Sequence, residues 1–428
     1  MKGDPGRSDT TILLRLDPDQ HRIALMSIPR DLKVHIPGYG VGKFNTAYTV
    51  GGPKLTLRLV KHLTGLDVNH LVNVDFLGFV RAVDAINCVW ADVDRRYYHS
   101  NEGVPPSLQY SEINISAGYQ RLCGKDALAY VRYRHTDTDL VRSARQQDFL
   151  REARQRVPLG KLISDRNQLL TIFTSYTTSD INDVGTMLEV LKVLFDARGA
   201  AIKEVHFPAV LGPSYVYASK TAIRGAVNHF LGFQASGGPR GESASTAGSG
   251  GGGGHKKGHK HSSKSAAPQS DGLVDASSGG KEIAKGVAHK VGAEFPVFYP
   301  RRVPSGTIYS ETPRVYHLRD TDGNFHGAYR MVLQLIPQGD YIGLQGIRDW
   351  SNPPIASSPS LTKTMGDRDY DIFLDGDRIR MIAWHEGDNT YWVSNSLLQT
   401  LTNDQMLGIA RSVGEIVPKP KHKKDSKR

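Results

Sequence analysis

The 428-residue sequence predicts a three-layer α/β domain over residues 1–235, a disordered linker over 236–280, a small α+β domain over 281–418 and a basic disordered tail over 419–428. A chain of this length is too long for one ordinary core, so two domains are expected. Strand and helix patterns alternate through the first half of the sequence, which is typical of a layered α/β domain. The Gly-, His-, Lys- and Ser-rich stretch after Ala235 cannot bury enough apolar surface to offset the entropy of ordering.

Two strands are predicted at the start of the first domain, Thr10–Leu16 and Arg22–Ile28, with a turn at Asp17-Pro18-Asp19 between them. Leu55, Leu59 and Leu63 recur at helical spacing. The remaining predicted strands are His70–Val74, Ile86–Val93 and Ile202–Phe207, and the predicted helices are Lys54–Thr64, the segment capped by Asp75, Lys125–Tyr133, Val141–Val157 and Asp183–Arg198.

The second domain has the pattern of a curved antiparallel sheet with a covering helix. The predicted strands are Tyr329–Leu335, Tyr341–Ile347, Asp369–Leu374, Arg378–Trp384 and Thr390–Ser394. Asp375-Gly376 predicts a hairpin turn, and alternation in the strand after it predicts one buried face. Thr402-Asn403-Asp404-Gln405 fits a capping box that begins a final helix. Trp350, Trp384, Tyr391 and Trp392 are a candidate glycan-binding platform, although core packing is the favoured interpretation.

The charge and the cysteines restrict the possible partners without choosing among them. A formal net charge of +11 predicts anionic partners: phosphates, an envelope polymer, a membrane surface or nucleic acid. No helix-turn-helix, zinc-finger or RNA-binding signature is present, so nucleic acid is not expected. No apolar run reaches the roughly 20 residues that a membrane helix needs. Cys88 and Cys123 allow either one disulfide or two buried thiols.

Four motifs of the first domain combine arginine with aspartate, lysine or asparagine. They are Gly6-Arg7-Ser8-Asp9-Thr10, Ser27-Ile28-Pro29-Arg30-Asp31, Lys43-Phe44-Asn45-Thr46-Ala47-Tyr48, and the run from Ala127 through Arg132, Arg134, His135, Asp139, Arg142 and Arg145 to Gln147. The planar guanidinium forms bidentate bonds to phosphate oxygens and remains charged. Singly, each motif is most simply a solvated turn, loop or helix face. Together they predict a pyrophosphate site with a divalent cation, because Mg²⁺ binds carboxylate and phosphate oxygens.

In this order, the four motifs resemble those of the LytR-CpsA-Psr family over about residues 5–235. The run from Arg132 to Gln147 is the most specific part of the resemblance. The resemblance implies a mixed central sheet and a membrane-anchored enzyme that faces outward from the cell. Such an enzyme transfers a glycopolymer from a polyprenyl-pyrophosphate carrier to peptidoglycan with the help of Mg²⁺ or Mn²⁺, and the lipid tail lies in an apolar tunnel.

The resemblance also assigns roles to individual residues. The pyrophosphate would be held by Arg7, Arg30, Arg132, Arg134, Arg142 and Gln146. Asp9 would bind the metal and Asp139 would orient the arginines. No general base stands out; Asp9 or Asp31 could serve, and His135 is a weaker candidate. Asp31, Lys43, Asn45 and Arg145 are further candidate substrate contacts. Extracellular placement favours a Cys88–Cys123 disulfide.

The sequence departs from the family pattern at its start. Family members carry a membrane helix and then a strand that ends in a further metal-binding aspartate, and this sequence begins after that strand. We expect either an upstream start or a true truncation. A truncated site makes a non-catalytic polyprenyl-phosphate or wall-polymer binding protein the alternative function. A transcriptional regulator is a third and weaker one. A pyrophosphatase, with water as the acceptor, is a variant of the transferase function.

Overall fold

The structure is a computed structural model. It describes residues 10–17, 19–20, 22–105, 109, 111–155, 171, 175, 177–181, 185–186, 189, 202–240, 271–291, 295–336 and 340–418. Arg7 and Asp9, most of the predicted helix Asp183–Arg198, residues 241–270 of the predicted linker and the predicted tail lie outside these residues. Among the described helices, none is both long enough and apolar enough to cross a membrane.

The first domain mixes short strands with amphipathic helices. Its helices are α1 (Thr46–Thr64), α2 (Phe76–Ala85), α3 (Gly124–Arg132), α4 (Asp139–Gln155) and α5 (Lys220–Leu231). Its strands are β1 (Thr11–Asp17), β2 (Arg22–Ile28), β3 (Lys33–Ile36), β4 (Gly40–Lys43), β5 (Val72–Val74), β6 (Val89–Val93), β7 (Tyr97–His99), β8 (Ile113–Ile115), β9 (Gly118–Leu122), β10 (Thr177–Ser179), β11 (Ile202–Val205), β12 (Val210–Leu211) and β13 (Val216–Tyr217).

The central sheet has the order β1-β2-β11, in which β2 is antiparallel to β1 and parallel to β11. Successive side chains of a strand point to opposite faces. Ala24, Met26 and Ile28 therefore share one core with α1 and α5. Ser27 lies on the other face, where its hydroxyl accepts a hydrogen bond from Nε2 of Gln147 in α4 at 3.0 Å. The predicted three-layer α/β fold with a mixed sheet is confirmed.

Helix α1 is kinked near its start. Gly52 has φ +61° and is followed by Pro53, so the backbone leaves the helical conformation there. The predicted helix from Lys54 corresponds to the second part of α1. The first part, which begins at Thr46, was missed because Gly51-Gly52-Pro53 is typical of a loop.

A disulfide joins Cys88 to Cys123. Cys88 directly precedes β6, and Cys123 is the N-cap residue of α3. The two cysteines are 35 residues apart in sequence, and closing a loop of this length stabilises the fold by about 3–4 kcal/mol in the chain-entropy model.

The second domain is built on one large antiparallel sheet. Its strands are β14 (Leu273–Asp275), β15 (Val297–Pro300), β16 (Arg302–Pro304), β17 (Thr307–Tyr309), β18 (Arg314–Arg319), β19 (Phe325–Leu335), β20 (Asp340–Ile347), β21 (Leu361–Met365), β22 (Arg368–Asp375), β23 (Arg378–Glu386), β24 (Asn389–Ser394) and β25 (Val413–Ile416), and its helices are α6 (Ser277–Val291) and α7 (Asn403–Arg411). The sheet runs β17-β19-β20-β24-β23-β22-β21, with β18 also paired to β19. Helix α7 begins with the predicted capping box of Thr402 and Gln405.

The start of this domain differs from the prediction. Strand β14 and the first turn of α6 fall inside the stretch predicted as linker. Serine and glycine at the start of α6 favour disorder locally. Packing overrides that preference, because Gly280 lies against Tyr299 so closely that a Cβ atom would come within 2.7 Å of its ring.

Strand β23 is buried on both faces, whereas the alternation predicted one. Ile379, Ile382 and Trp384 pack in the core that α6 and α7 cover. Met381 and Ala383 pack on the opposite face against the first domain. The sequence could not show this second covering layer, because it belongs to a separate domain.

The aromatic platform considered for glycan binding is part of these two cores. Trp384, Tyr391 and Trp392 are fully buried, and Trp392 packs edge-on against Tyr119 of the first domain. The favoured interpretation of core packing is therefore confirmed for these three side chains.

A buried ionic cluster joins the two domains. Arg151 of α4 and Arg240 each contact Glu204 of β11 and Asp375 of β22 at 2.7–3.0 Å, and both arginines also contact Asp148. Two guanidinium groups thus face three carboxyl groups. One protonated carboxyl leaves the cluster neutral, which is the favourable state for a buried group of charges.

Glu204 is the carboxyl that keeps its proton. Burial raises the pKa of Glu204 to about 8; Arg240 opposes the shift and Asp375 adds to it. A folded-state pKa above the unfolded value of 4.5 gives stability that is complete below about pH 4.5 and is lost as the pH rises towards 8.

We expect Glu204→Gln to remove this pH dependence. Between pH 5 and 8 the free energy of unfolding of the wild type should fall relative to the variant, by at most about 1.4 kcal/mol per pH unit. Thermal unfolding over this pH range measures the difference. His206, whose pKa burial lowers to about 4, lies 3.9 Å from Oε1 of Glu204, so the two proteins are compared in a His206→Gln background. Parallel curves for the two proteins would contradict the assignment.

Candidate anion-binding site

The hairpin of β3 and β4 brings the second and third motifs together. Lys33 pairs with Lys43, so the end of β4 lies beside the start of β3. The backbone N–H of Asn45 donates to the carbonyl of Arg30 at 3.0 Å, and that of Phe44 donates to the carbonyl of Leu32 at 2.9 Å. These bonds fix the position of Asp31 next to both motifs.

Asp31 connects three cationic side chains. Its Oδ1 lies 3.1 Å from Nζ of Lys43 and 3.8 Å from Nε of Arg30, and its Oδ2 lies 3.6 Å from Nη1 of Arg134. The side chain of Arg134 is 45% exposed and that of Lys43 is 38% exposed, so both can reach a bound anion. The resemblance to the family supports a role for Asp31 only weakly. In the structure, however, Asp31 lies beside three cationic side chains.

Asp139 also binds arginine groups, at a buried position. Its carboxylate accepts a hydrogen bond from the guanidinium of Arg142 and, through Oδ2, one from the backbone N–H of Arg30 at 3.1 Å. Both side chains are almost fully buried. Burial raises the pKa of Asp139, and the guanidinium of Arg142 opposes that shift. This aspartate therefore links α4 to the end of β2.

An apolar cavity of about 440 Å³ opens beside these residues. Arg132 and Gln146 provide polar groups in its wall, and Thr10 also lines it. The apolar lining comes mainly from α2, α3 and α4 and includes Phe76, Phe79, Leu128, Val131, Phe149 and Leu150. A long apolar group fits such a cavity better than a polar one does.

Arg132 connects this cavity to a second one. The second cavity measures about 290 Å³ and is lined in part by Arg132, Arg134 and His135. The guanidinium of Arg132 stacks on the ring of Phe76, 3.8 Å from its centroid. Stacking of this kind holds a guanidinium in place at an apolar surface. Arg132 thus belongs to the linings of both cavities.

Two predicted substrate contacts are buried. Arg145 is fully buried and donates to the carbonyls of Tyr130 and Tyr133, at 3.0 and 2.8 Å, and to Asp137. All of these partners belong to α3 and the loop after it, so Arg145 supports the site rather than contacting a ligand. Asn45 is 4% exposed and joins the site through its backbone. Gln146 donates to the carbonyl of Val131 at 2.9 Å and also lines the apolar cavity.

Three potential metal-ligating side chains also lie together, far along the chain from the motifs. Among the described residues, Glu204, His206 and Asp375 place one ligand atom each within 4.8 Å of one another. Arg151 and Arg240 form ion pairs with the carboxylates of Glu204 and Asp375. The positive charge of these arginines makes the cluster a poor site for a cation.

The fold and this site define an α/β protein that places an arginine-rich anion site at the wall of an apolar cavity. The family model described as the LytR_cpsA_psr family matches residues 1–227. The chain belongs to the LytR-CpsA-Psr family, as the motifs predict.

The chain is also similar in sequence to individual proteins of known name. The chain is 32% identical over 188 residues to the polyisoprenyl-teichoic acid–peptidoglycan teichoic acid transferase TagU of Oceanobacillus iheyensis, a match that covers 42% of this chain and 55% of that protein. It is 38% identical over 148 residues to the probable cell wall biosynthesis protein LcpB of Corynebacterium glutamicum, with coverage of 34% and 33%. The chain therefore spans between a third and about half of the length of these two relatives.

Solved structures are similar over about half of the chain. The crystal structure of TagV from B. subtilis aligns with a TM-score of 0.45 and 23% identity, covering 54% of this chain and 91% of that one. A structure of TagT bound to LI-WTA aligns with a TM-score of 0.41 and 23% identity, with coverage of 53% and 85%.

Proposed function

We propose that this protein transfers a glycopolymer from a polyprenyl-pyrophosphate carrier to a hydroxyl group of peptidoglycan at the cell envelope. The observation that carries the proposal is the position of Arg132, which lines both the apolar cavity and the cationic cavity. A polyprenyl pyrophosphate joins an apolar tail to a dianionic group, so it matches both cavities at once. The named activity of TagU, which uses a polyisoprenyl-linked teichoic acid, supports the same class of substrate.

The arginines act by neutralising charge. When the acceptor oxygen attacks the phosphorus nearer the glycan, the bond to the bridging oxygen breaks and the polyprenyl phosphate leaves. Negative charge grows on that leaving group, and preorganised cations stabilise it. Arg30, Arg132 and Arg134 are the cations of this clamp, and Arg142, which is buried against Asp139, supports them. Asp31 and Asp139 hold them in place, as their contacts with Arg30, Arg134 and Arg142 indicate.

Neither clamp aspartate is well suited to accept the proton of the acceptor hydroxyl. Asp31 lies within 4 Å of three cations and Asp139 accepts bonds from two donors, so both carboxylates are already held in fixed contacts. Little covalent chemistry is required of the protein in phosphoryl transfer. We therefore assign the proton to solvent that enters the open cationic cavity.

A divalent cation, Mg²⁺ or Mn²⁺, would complete the clamp. Asp9 is the carboxylate that we propose as its ligand, because the described aspartates of the clamp already pair with arginine and lysine. Such an ion supplies further charge stabilisation for the pyrophosphate oxygens. Thr10, which follows Asp9 in sequence, lines the apolar cavity beside Arg132. The carrier lipid requires that the protein works at a membrane surface.

Release of polyprenyl phosphate from a polyprenyl-pyrophosphate-linked disaccharide, with Mg²⁺ present, tests the proposal. We expect Arg30→Ala and Arg132→Ala each to lower turnover by about 10²- to 10³-fold, as is usual when one charge-stabilising donor is removed. Arg58→Ala, which removes an exposed arginine of α1, is the matched control and should retain activity. Unchanged turnover in both clamp variants would exclude this mechanism. Tight binding by a wild type that shows no turnover would favour the non-catalytic alternative.

A further inference from the structure

Arg95 lies outside the four motifs, in the turn between β6 and β7, and is 8% exposed. Its Nη2 donates to Oγ1 of Thr136 at 2.8 Å and to the carboxylate of Asp137. Both partners belong to residues 133–138, the segment that joins α3 to α4 and carries Arg134. We call this segment the clamp loop.

The clamp loop is held by a second buried arginine. Asp137, whose side chain is 5% exposed, also accepts a bond from Arg145 of α4. Arg145 in turn donates to the carbonyls of Tyr130 and Tyr133, at the end of α3. One carboxylate between two fixed guanidinium groups leaves the loop little freedom, because charge-assisted bonds in a buried environment are strong and directional.

The second domain also contacts Arg95. The guanidinium of Arg95 lies 4.6 Å from the ring centroid of Tyr97 and 5.7 Å from that of Tyr133. A third ring, that of Tyr341 in β20, lies 5.0 Å away and belongs to the second domain. A partly buried cation among aromatic rings is attracted to each of them, and the loss of one ring weakens its placement.

Two further contacts hold the chain on either side of Arg95. Asp92 accepts bonds from Nη1 of Arg330 at 2.9 Å and from Nε1 of Trp392 at 3.2 Å. The backbone N–H of Arg96 donates to Oε1 of Glu311 at 2.7 Å. All three partners belong to the second domain, so docking of that domain determines where the turn that carries Arg95 lies.

We infer that Arg95 is a positioning residue for Arg134, and that the second domain controls the anion site by placing Tyr341 against Arg95. When the second domain is docked, Arg95 holds Asp137 and the clamp loop keeps Arg134 beside Asp31. When Tyr341 is removed, the loop gains freedom and the cation is less often in place. The inference concerns the regulation of the proposed transferase site and rests on that function for its catalytic consequence.

Two readouts on the full-length protein test the inference separately. The first is backbone hydrogen exchange of residues 133–138, which requires no activity. We expect exchange of the clamp loop to be faster in Tyr341→Leu and Arg95→Gln than in the wild type. Tyr341→Phe keeps the ring and should exchange like the wild type. Equal exchange in Tyr341→Leu and Tyr341→Phe would overturn the inference.

The second readout is turnover of the polyprenyl-pyrophosphate-linked disaccharide. Misplacing one charge-stabilising group should lower kcat by about tenfold in Tyr341→Leu and in Arg95→Lys, with a smaller change in KM. The compact ammonium of Lys does not stack among the three tyrosine rings as the planar guanidinium does. Tyr341→Phe should restore kcat. A wild-type kcat in both Arg95→Lys and Tyr341→Leu would overturn the inference. Faster loop exchange in the variants, in a protein whose wild type cleaves nothing, would instead reject the proposed function and leave the positioning role intact.

Discussion

Replacing Asp139 with alanine should lower the free energy of unfolding by about 3–5 kcal/mol, because the change leaves the guanidinium of Arg142 buried without its partner. The side chains of Asp139 and Arg142 are 4% and 3% exposed, so water cannot compensate. The backbone N–H of Arg30 loses its acceptor as well. Denaturant unfolding of the purified variant measures the loss.

The same variant should lose polyprenyl-pyrophosphate cleavage, since Arg30 and Arg142 both depend on this carboxylate. Asp139→Asn separates the two effects, because the amide oxygen can still accept the N–H of Arg30 while the charge is gone. We expect its stability to lie between those of the wild type and the alanine variant. Asp126→Ala removes an exposed aspartate of α3 and should change stability by no more than about 0.5 kcal/mol. A loss as small as this for Asp139→Ala would contradict the role assigned to Asp139.

Asp375→Ala should be equally destabilising for a different reason. Arg151, Arg240 and Nε2 of Gln399 all donate to this carboxylate, at 2.7–3.0 Å. Burial acts to raise the pKa of Asp375. Arg151 and Arg240 face the carboxylate and outweigh that effect, so its pKa lies well below the ordinary value. Its removal leaves Arg151, Arg240 and Gln399 each without one buried acceptor, and Glu204 must lose its proton to restore the charge balance, at a total cost of about 3–5 kcal/mol.

The loss should appear as separate unfolding of the two domains. Asp375 belongs to the second domain, whereas Arg151 and Glu204 belong to the first. Differential scanning calorimetry of Asp375→Ala should therefore show two transitions where the wild type shows a more cooperative one. Asp367→Ala, at an exposed turn between β21 and β22, is the control and should keep the wild-type profile. A single transition at an unchanged temperature in Asp375→Ala would exclude a joining role for the cluster.

The sequence predicted those parts of the fold whose signals are local. The hairpin of β1 and β2 follows from an apolar run, a turn at Asp17 and a second run, and the two predicted strands pair antiparallel in the structure. Helix α7 was predicted from the capping box at its start. The short strands β3 and β4 carry weak alternation, and they were missed although they bring Lys43 to Asp31.

The candidate site was predictable in its residue types and only partly in its geometry. Arg142 and Arg145 stand three positions apart on α4 and look equivalent in sequence. Arg142 pairs with Asp139, whereas Arg145 lies among three tyrosine rings. The difference is set by how α4 packs against α3 and β7. Nothing in the sequence around Arg95 indicated that it supports the site, because its partners are distant in sequence or belong to another domain.

The two-sided burial of the large sheet has a practical consequence for anyone who divides this chain. Phe373, Met381, Ala383 and Trp392 face Trp90 and Tyr119 across the boundary between the domains. A fragment that contains only the second domain would present these side chains to water as one continuous hydrophobic surface, and such surfaces promote self-association. Aggregation of that fragment would then reflect a missing neighbour rather than a faulty fold. Point substitutions in the intact chain are the sounder way to dissect it.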